Sequence, residues 1–269
     1  MIMKTDYHIH TNLCDGKDLP EDIVKTAIEK GFGIIGFSGH GYTAFDNSYC
    51  MSLKDEAEYF NTITALKNKY KDKIKILCGI EQDYFEPKPM NNYDYVIGSV
   101  HYVKVDGEYI PIDESKEVFK ALLSDNFGGD FEALAKVYFE SVGNLLNEVE
   151  ADIIGHFDLI TKFNEVLNIC ETEKYLNYAF SAVQKLIPAQ KPFEINVGAM
   201  TRGYKKSPYP SEKILKEINR LGGKIIITGD CHNKEWLGVY FEQAEELAKK
   251  CGFKTALYLT ENGFEEYCL

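Results

Sequence analysis

Residues 6–16 read DYHIHTNLCDG, continuing a short β-branched and aromatic run that ends on His8 and His10. On a strand, residues i and i+2 point to the same side, so both imidazoles can approach one metal ion. The same ending recurs along the chain. IIGFSGH stops at His40, YVIGSVH at His101, ADIIGH at His156 and IIITGDCH at His232, which accounts for all 6 histidines. Strands are expected near Thr5–His8, Gly33–Ser38, Ile74–Ile80, Tyr95–Val100, Asp152–Gly155, Pro192–Asn196 and Lys224–Thr228, with a further run at Lys254–Leu259. Helical patterns separate them, as in βα units around a parallel sheet. In a βα barrel the carboxyl ends of the strands converge on one face, so these scattered histidines would share one pocket.

The intervening segments carry helical signals. Ile23, Ala27 and Ile28 follow Pro20, and Ile214, Leu215, Ile218 and Leu221 precede Gly222–Gly223. Phe241, Ala244, Leu247, Ala248 and Cys251 form a third stripe; all three are expected to pack into the core. The longest interruption, from about Lys104 to Asp130, reads as an insertion near the barrel mouth, with a turn at Asp106–Gly107 and a break at 127–130.

At 269 residues with 45% hydrophobic and 27% charged content, the chain has ordinary globular composition, and one compact domain over residues 1–269 is the simplest account. The net charge of -12 argues against extended nucleic acid as a partner. The 7 cysteines are scattered and nowhere spaced as CxxC, which fits reduced thiols in a cytoplasmic protein rather than a zinc ribbon or disulfide scaffold. No apolar stretch approaches the ~18 residues of a membrane span, and no signal peptide is expected. Homo-oligomerisation is left open.

Two carboxylates join the histidines. Glu81 ends KILCGIE, and Asp230 lies two residues before His232, so one strand end offers a carboxylate and an imidazole side by side. Imidazole with carboxylate favours zinc, manganese or iron. Eight such groups exceed the three or four that one catalytic zinc takes, which argues for two or three divalent metals.

The ordered set DYHIHTNLCDG, GFSGH, GIEQDYF, GSVHY, GHFDLI, FEINVGAMTRGYKKSPYPS and TGDCH resembles the polymerase and histidinol phosphatase (PHP) family, in its monofunctional histidinol-phosphate phosphatase branch. The resemblance spans Asp6 to His232. It implies a distorted (β/α)7 TIM-like barrel with a trinuclear metal centre. It also implies that His8, His10, Glu81 and Asp230 hold one metal, that Glu81 bridges to a second held with His101 and His156, and that His40 and His232 serve a third. Many members carry a histidine where this chain has Gly16, and adjacent Asp15 is the expected substitute ligand.

Of the two arginines, Arg220 reads as a surface charge. Arg202 follows the PFEIN strand and, by resemblance and by its capacity to grip two phosphate oxygens, is expected to bind substrate phosphate. Glu194 and Asn196 share a strand side and are expected to hold the cationic part of an amino-alcohol substrate. Lys205 and Lys206 read as solvated, and Ser38 and Tyr102 as supports beside ligand positions. Asp230, His232 and Glu81 are the expected catalytic groups. The chain lacks both a Cys-x5-Arg loop and a GxxxxGK[ST] loop, so covalent cysteine and P-loop chemistry are disfavoured. The expected activity is metal-dependent hydrolysis of L-histidinol phosphate in histidine biosynthesis. A nucleotide or other small phosphorylated metabolite is the alternative substrate, and an idle binding module is the alternative from another class.

Overall fold

The computed structural model describes residues 4–85, 88–89 and 91–269. Its strands are β1 (Lys4–Asp6), β2 (Phe32–Phe37), β3 (Lys75–Asp83), β4 (Tyr95–Ser99), β5 (Tyr102–Val105), β6 (Glu108–Pro111), β7 (Ile153–Ile154), β8 (Phe193–Asn196), β9 (Ile225–Thr228), β10 (Thr255–Thr260) and β11 (Gly263–Cys268). The main sheet runs β1-β2-β3-β4-β7-β8-β9-β10-β11, parallel throughout except for the final β10–β11 pair. Each of the seven strands expected from the sequence is present within a few residues.

The two ends of that parallel series meet. Past the last residues of β1 and β9, Ile9 and Cys231 form a parallel bridge: His10 N–H donates to the Cys231 carbonyl at 3.0 Å, and Cys231 N–H to the His8 carbonyl at 2.8 Å. The seam is tight only at this end. Towards the amino ends β10 lies alongside β9, pairing Leu257 with Ile226. There the buried Tyr7 hydroxyl donates to the Leu259 carbonyl at 2.8 Å and accepts from the Leu259 N–H at 2.9 Å. The eighth expected run is the first arm of the antiparallel β10–β11 hairpin rather than another βα unit.

Helices Pro20–Glu29, Glu212–Arg220 and Phe241–Lys250 form where their apolar stripes were read, and Ile23, Ala27, Ile214, Ile218, Ala244 and Ala248 are buried. The expected insertion begins as the β5–β6 hairpin, which turns at Asp106 (φ 50°) and Gly107 (φ 94°). It ends where the Asp130 carboxylate accepts from Glu132 and Ala133 N–H to cap helix Phe131–Gly143. Among the described residues, no helix is long and apolar enough to cross a membrane.

Candidate metal centre

Strand pairing runs past the formal strand ends into the chemistry-bearing residues. Besides the seam, His40 bridges Glu81 in parallel, with Gly41 N–H donating to the Glu81 carbonyl at 2.9 Å and Glu81 N–H to the Gly39 carbonyl at 3.1 Å. The barrel backbone therefore brings all six imidazoles to one end, and all six are buried together with Glu81 and Asp230.

Glu81 is the hub. Its Oε2 lies 3.0 Å from His8 Nε2, 3.5 Å from His10 Nε2 and 3.0 Å from His40 Nδ1. Its Oε1 lies 2.9 Å from His156 Nε2 and 3.4 Å from His101 Nε2, and accepts from Ser99 Oγ at 2.6 Å. His10 Nε2 also stands 3.4 Å from Asp230 Oδ1. Two atoms ligating one tetrahedral zinc at ~2.1 Å are ~3.4 Å apart, so these spacings suit shared ions. His8 Nε2, His10 Nε2 and Glu81 Oε2 are moreover buried without a hydrogen-bond partner. Each such orphan costs ~1–3 kcal/mol, a penalty that a cation accepting their lone pairs removes. The residues present fit a polynuclear metal centre.

The rings are aimed from behind. His8 Nδ1 lies 2.7 Å from Glu194 Oε1, His101 Nδ1 3.1 Å from Asp83 Oδ2, and His232 Nδ1 3.0 Å from the Asp230 carbonyl. A proton on each Nδ1 leaves the Nε2 lone pair for a metal. In the metal-free site, burial opposes charge on His8, but Glu194, Glu81 and Asp230 outweigh it and hold its pKa well above the ordinary imidazole range. Burial likewise opposes charge on His101, and Glu81 and Asp83 overcome it. Burial pushes His40 the other way, down to about 3.

A further group gathers on the first loop. Asp15 Oδ2 lies 2.9 Å from His232 Nε2, and its Oδ1 lies 3.7 Å from His40 Nε2 and 3.4 Å from His10 Nδ1. The loop is wound tightly: Cys14 and Gly16 N–H both donate to the Thr11 carbonyl at 3.0 Å. A Cβ on Gly16 would sit 2.6 Å from backbone atoms of His10 and Thr11, so no side chain fits there. Asp15 is the group this loop presents to His40 and His232.

Asp230 adopts φ 47°, a left-handed conformation that Asp tolerates better than most residues and that often marks functional positions. Its Oδ2 accepts from Arg202 Nη2 at 2.8 Å, while Arg202 Nε donates to the Gly198 carbonyl at 3.1 Å. Gly198 leaves room for this approach, because a Cβ there would meet Asp230 Oδ2 at 2.5 Å. A cavity of about 220 Å³ opens over Glu81, Asp230 and the rings of His40, His101, His156 and His232. Arg202 and Lys162 also line it, the Lys162 Nζ donating to the Asp113 carbonyl at 2.6 Å and lying 3.1 Å from its Oδ2.

Three sequence expectations need correction. Glu194 and Asn196 do share a side, but both are 0% exposed. Glu194 accepts from His8 Nδ1, from His156 N–H at 2.9 Å and from Asn196 Nδ2 at 3.2 Å, while Asn196 Oδ1 accepts from Gly198 N–H at 2.9 Å. Neither side chain faces the cavity to meet a substrate amine. Lys205 is half-buried rather than solvated, donating to Thr161 Oγ1 at 2.7 Å with its Nζ 5.0 Å from the Tyr209 ring centre. Lys206 and Arg220 are exposed, the latter paired with Glu217. Ser38 Oγ accepts from Ile9 N–H at 3.2 Å, and Tyr102 donates to Asp46 on the cavity wall at 2.8 Å. Sequence reading missed Asp83, Ser99 and Lys162. Asp83 lies two residues after Glu81 on β3 and was open to the same alternation argument.

A family model described as PHP domain matches residues 6–198. A Schizosaccharomyces pombe protein named "Probable histidinol-phosphatase" is 31% identical over 265 residues, covering 90% of this chain and 84% of its own length. The histidinol-phosphatase of Bacillus subtilis is 25% identical over 264 residues, covering 90% and 98%. Among solved structures, Lactococcus lactis histidinol phosphate phosphatase complexed with zinc, L-histidinol and phosphate aligns with a TM-score of 0.73 at 23% identity, covering 97% of this chain and 98% of that one. A Listeria monocytogenes hisK structure aligns at 0.78 and 21%, covering 89% and 99%. At these identities the structural likeness establishes the fold, a mostly parallel α/β barrel of TIM-like type.

Proposed function

The chain belongs to the PHP domain family, and from that premise we propose that it is a metal-dependent phosphomonoesterase converting L-histidinol phosphate to L-histidinol and phosphate. The observation that carries the reading is the convergence of six buried imidazoles on Glu81 and Asp230 beneath a cavity lined by Arg202. The relatives' names and the L-histidinol and phosphate in the Lactococcus lactis complex support the substrate.

In this reading His8, His10, Glu81 and Asp230 hold one ion, Glu81 with His101 and His156 a second, and Asp15, His40 and His232 a third. Bound there, zinc, manganese or iron would supply hydroxide at neutral pH and neutralise phosphoryl charge. The protein's own groups do the positioning. Glu194 and Asp83 hold His8 and His101 with Nε2 facing Glu81. Arg202, anchored through Nε and Nη2, has a guanidinium edge to offer the phosphoryl oxygens. Burial favours a neutral Asp230, but Arg202 and His8 keep it ionised, so it serves as ligand and Arg202 anchor rather than as the acid that protonates the leaving alkoxide. A cytoplasmic setting accords with all seven cysteines being free.

The test is phosphate release from L-histidinol phosphate by protein reconstituted with manganese, zinc or iron, with nucleoside monophosphates assayed in parallel and His101→Ala as control. Selective turnover abolished by the substitution is the expected result. Turnover of nucleotides alone would move the substrate, and silence on every phosphate would refute the enzyme reading.

A further inference from the structure

We infer that Asp6 is a positioning residue of the metal centre. One of its carboxylate oxygens takes over the strand pairing where β1 and β9 part, and so fixes His8 and His10 on one side of the seam against Asp230 on the other. The inference rests on the metal-binding reading proposed above.

In a parallel ladder each bonded residue serves the two residues that flank its partner on the neighbouring strand. Cys231 does so with His8 and His10, on either side of Ile9. One step towards the amino ends, the same ladder would send His8 N–H to the Gly229 carbonyl and Gly229 N–H to the Asp6 carbonyl. The chain makes neither bond. A strand has two edges, and at Ile226 the edges of β9 are taken by β8 and β10, which leaves β1 no place beside it. Both donors turn instead to one side-chain atom: Asp6 Oδ1 accepts from His8 N–H at 3.2 Å and from Gly229 N–H at 2.9 Å. A single oxygen thus replaces two ladder bonds across the seam.

The surroundings are fitted to that oxygen. Asp6 is 0% exposed, so without it two buried N–H groups would lose their acceptor. A Cβ on Gly229 would collide with Asp6 Oδ2, so β9 continues into a glycine where the carboxylate crosses. The contact grips the backbone N–H of His8 itself and that of the residue before Asp230. His10 Nε2 and Asp230 Oδ1 stand 3.4 Å apart across this seam, a spacing that depends on where the two segments are held. Asp6 therefore acts on the ligand set through the backbone.

The test is chelator competition for zinc on the intact chain, with KM measured at saturating metal, in wild type, Asp6→Ala, Asp6→Asn and Gly229→Ala. Asp6→Asn keeps a carbonyl oxygen for the two donors, because its NH2 in that place would confront them. Zinc affinity should fall about tenfold or more in Asp6→Ala and Gly229→Ala, the scale for groups that hold metal ligands in place, while KM at saturating metal stays within about twofold. Asp6→Asn should retain most of the affinity, a rescue that general destabilisation would not give. Should Asp6→Ala fail to fold, Gly229→Ala against Asp6→Asn decides. Unchanged affinity in Gly229→Ala, or a loss in Asp6→Asn equal to that in the alanine variants, overturns the assignment. Wild type that binds no zinc overturns the metal-binding reading and this inference with it, whereas zinc bound equally by all four proteins overturns the inference alone.

Discussion

Replacing Glu194 with glutamine keeps the volume of a wholly buried side chain and removes its charge and one acceptor oxygen. In the native arrangement Oε1 faces His8 Nδ1, while Oε2 receives the His156 N–H and the Asn196 amide. If the new amide nitrogen took the Oε2 position, it would confront two buried donors, each orphaned at ~1–3 kcal/mol. The variant therefore settles with its NH2 towards His8 Nδ1. That hydrogen bond requires a lone pair on Nδ1 and so moves the imidazole proton to Nε2, the atom 3.0 Å from Glu81 Oε2. A metal must then first reverse the tautomer, and loss of such supporting carboxylates typically costs ~10–100-fold in metal affinity, about 1.4–2.8 kcal/mol. Chelator competition on the reconstituted protein, with KM measured at saturating metal, reads the effect. Metal affinity falls while KM at saturating metal stays within about twofold. Unchanged metal affinity with a raised KM would refute the reasoning and restore Glu194 as a substrate contact.

Two other consequences follow from the same geometry. His8 and His101 carry pKa values raised well above the ordinary range without metal, so binding must expel their protons. Loading at pH 7 should release protons in calorimetry across buffers of different ionisation enthalpy, metal affinity should rise with pH, and dialysis at pH 5 should strip the protein. A proton-neutral association would contradict this. The sign for stability is that raised folded values favour the metal-free fold fully below the unfolded imidazole pKa of ~6.5, and that this contribution disappears as pH rises through the folded values. The apoprotein should therefore lose Tm towards alkaline pH, whereas the loaded protein should not. Separately, Gly16→Ala places a Cβ 2.6 Å from the His10 and Thr11 backbone, which should cost ~1–3 kcal/mol by overpacking and displace Asp15. Native mass spectrometry should show lower occupancy of the Asp15 group, and unaltered stoichiometry and Tm would show that the loop absorbs the methyl.

Much of the barrel was legible because each histidine stands at the end of a β-branched run, so that period and punctuation agreed. Alternation also placed Glu194 and Asn196 correctly on one side of β8. It did not say how deep that side lies: Glu194 and Asn196 are wholly buried and bond to His8, His156 and Gly198 instead of opening onto the cavity. Asp83 shares its side of β3 with Glu81 and was open to alternation, but its role depends on the ring orientation of His101, a contact between β3 and the residue past the end of β4. Lys205 read as solvent-facing because its partner Thr161 is 44 residues away. The β10–β11 hairpin was only half seen, since GFEEYC alternates weakly and owes its extended form to pairing with β10.

The seam also explains why barrel closure and metal chemistry are joined in this chain. Ile9 lies between His8 and His10, and Cys231 between Asp230 and His232, so the bridge that links β1 and β9 passes through the proposed ligand set. Both side chains are buried, at 0% and 1% exposure, and the alternation that turns them into the core turns their neighbours towards Glu81. Cations held by those neighbours would tie β1 to β9 at the bridge where, among the described residues, the two strands pair. Without them, Glu194, Glu81 and Asp230 hold the pKa of His8 well above the ordinary imidazole range despite its burial, and the bridge itself rests on its backbone hydrogen bonds. In that reading, metal held by these residues would couple to closure of the barrel as well as to the proposed catalysis.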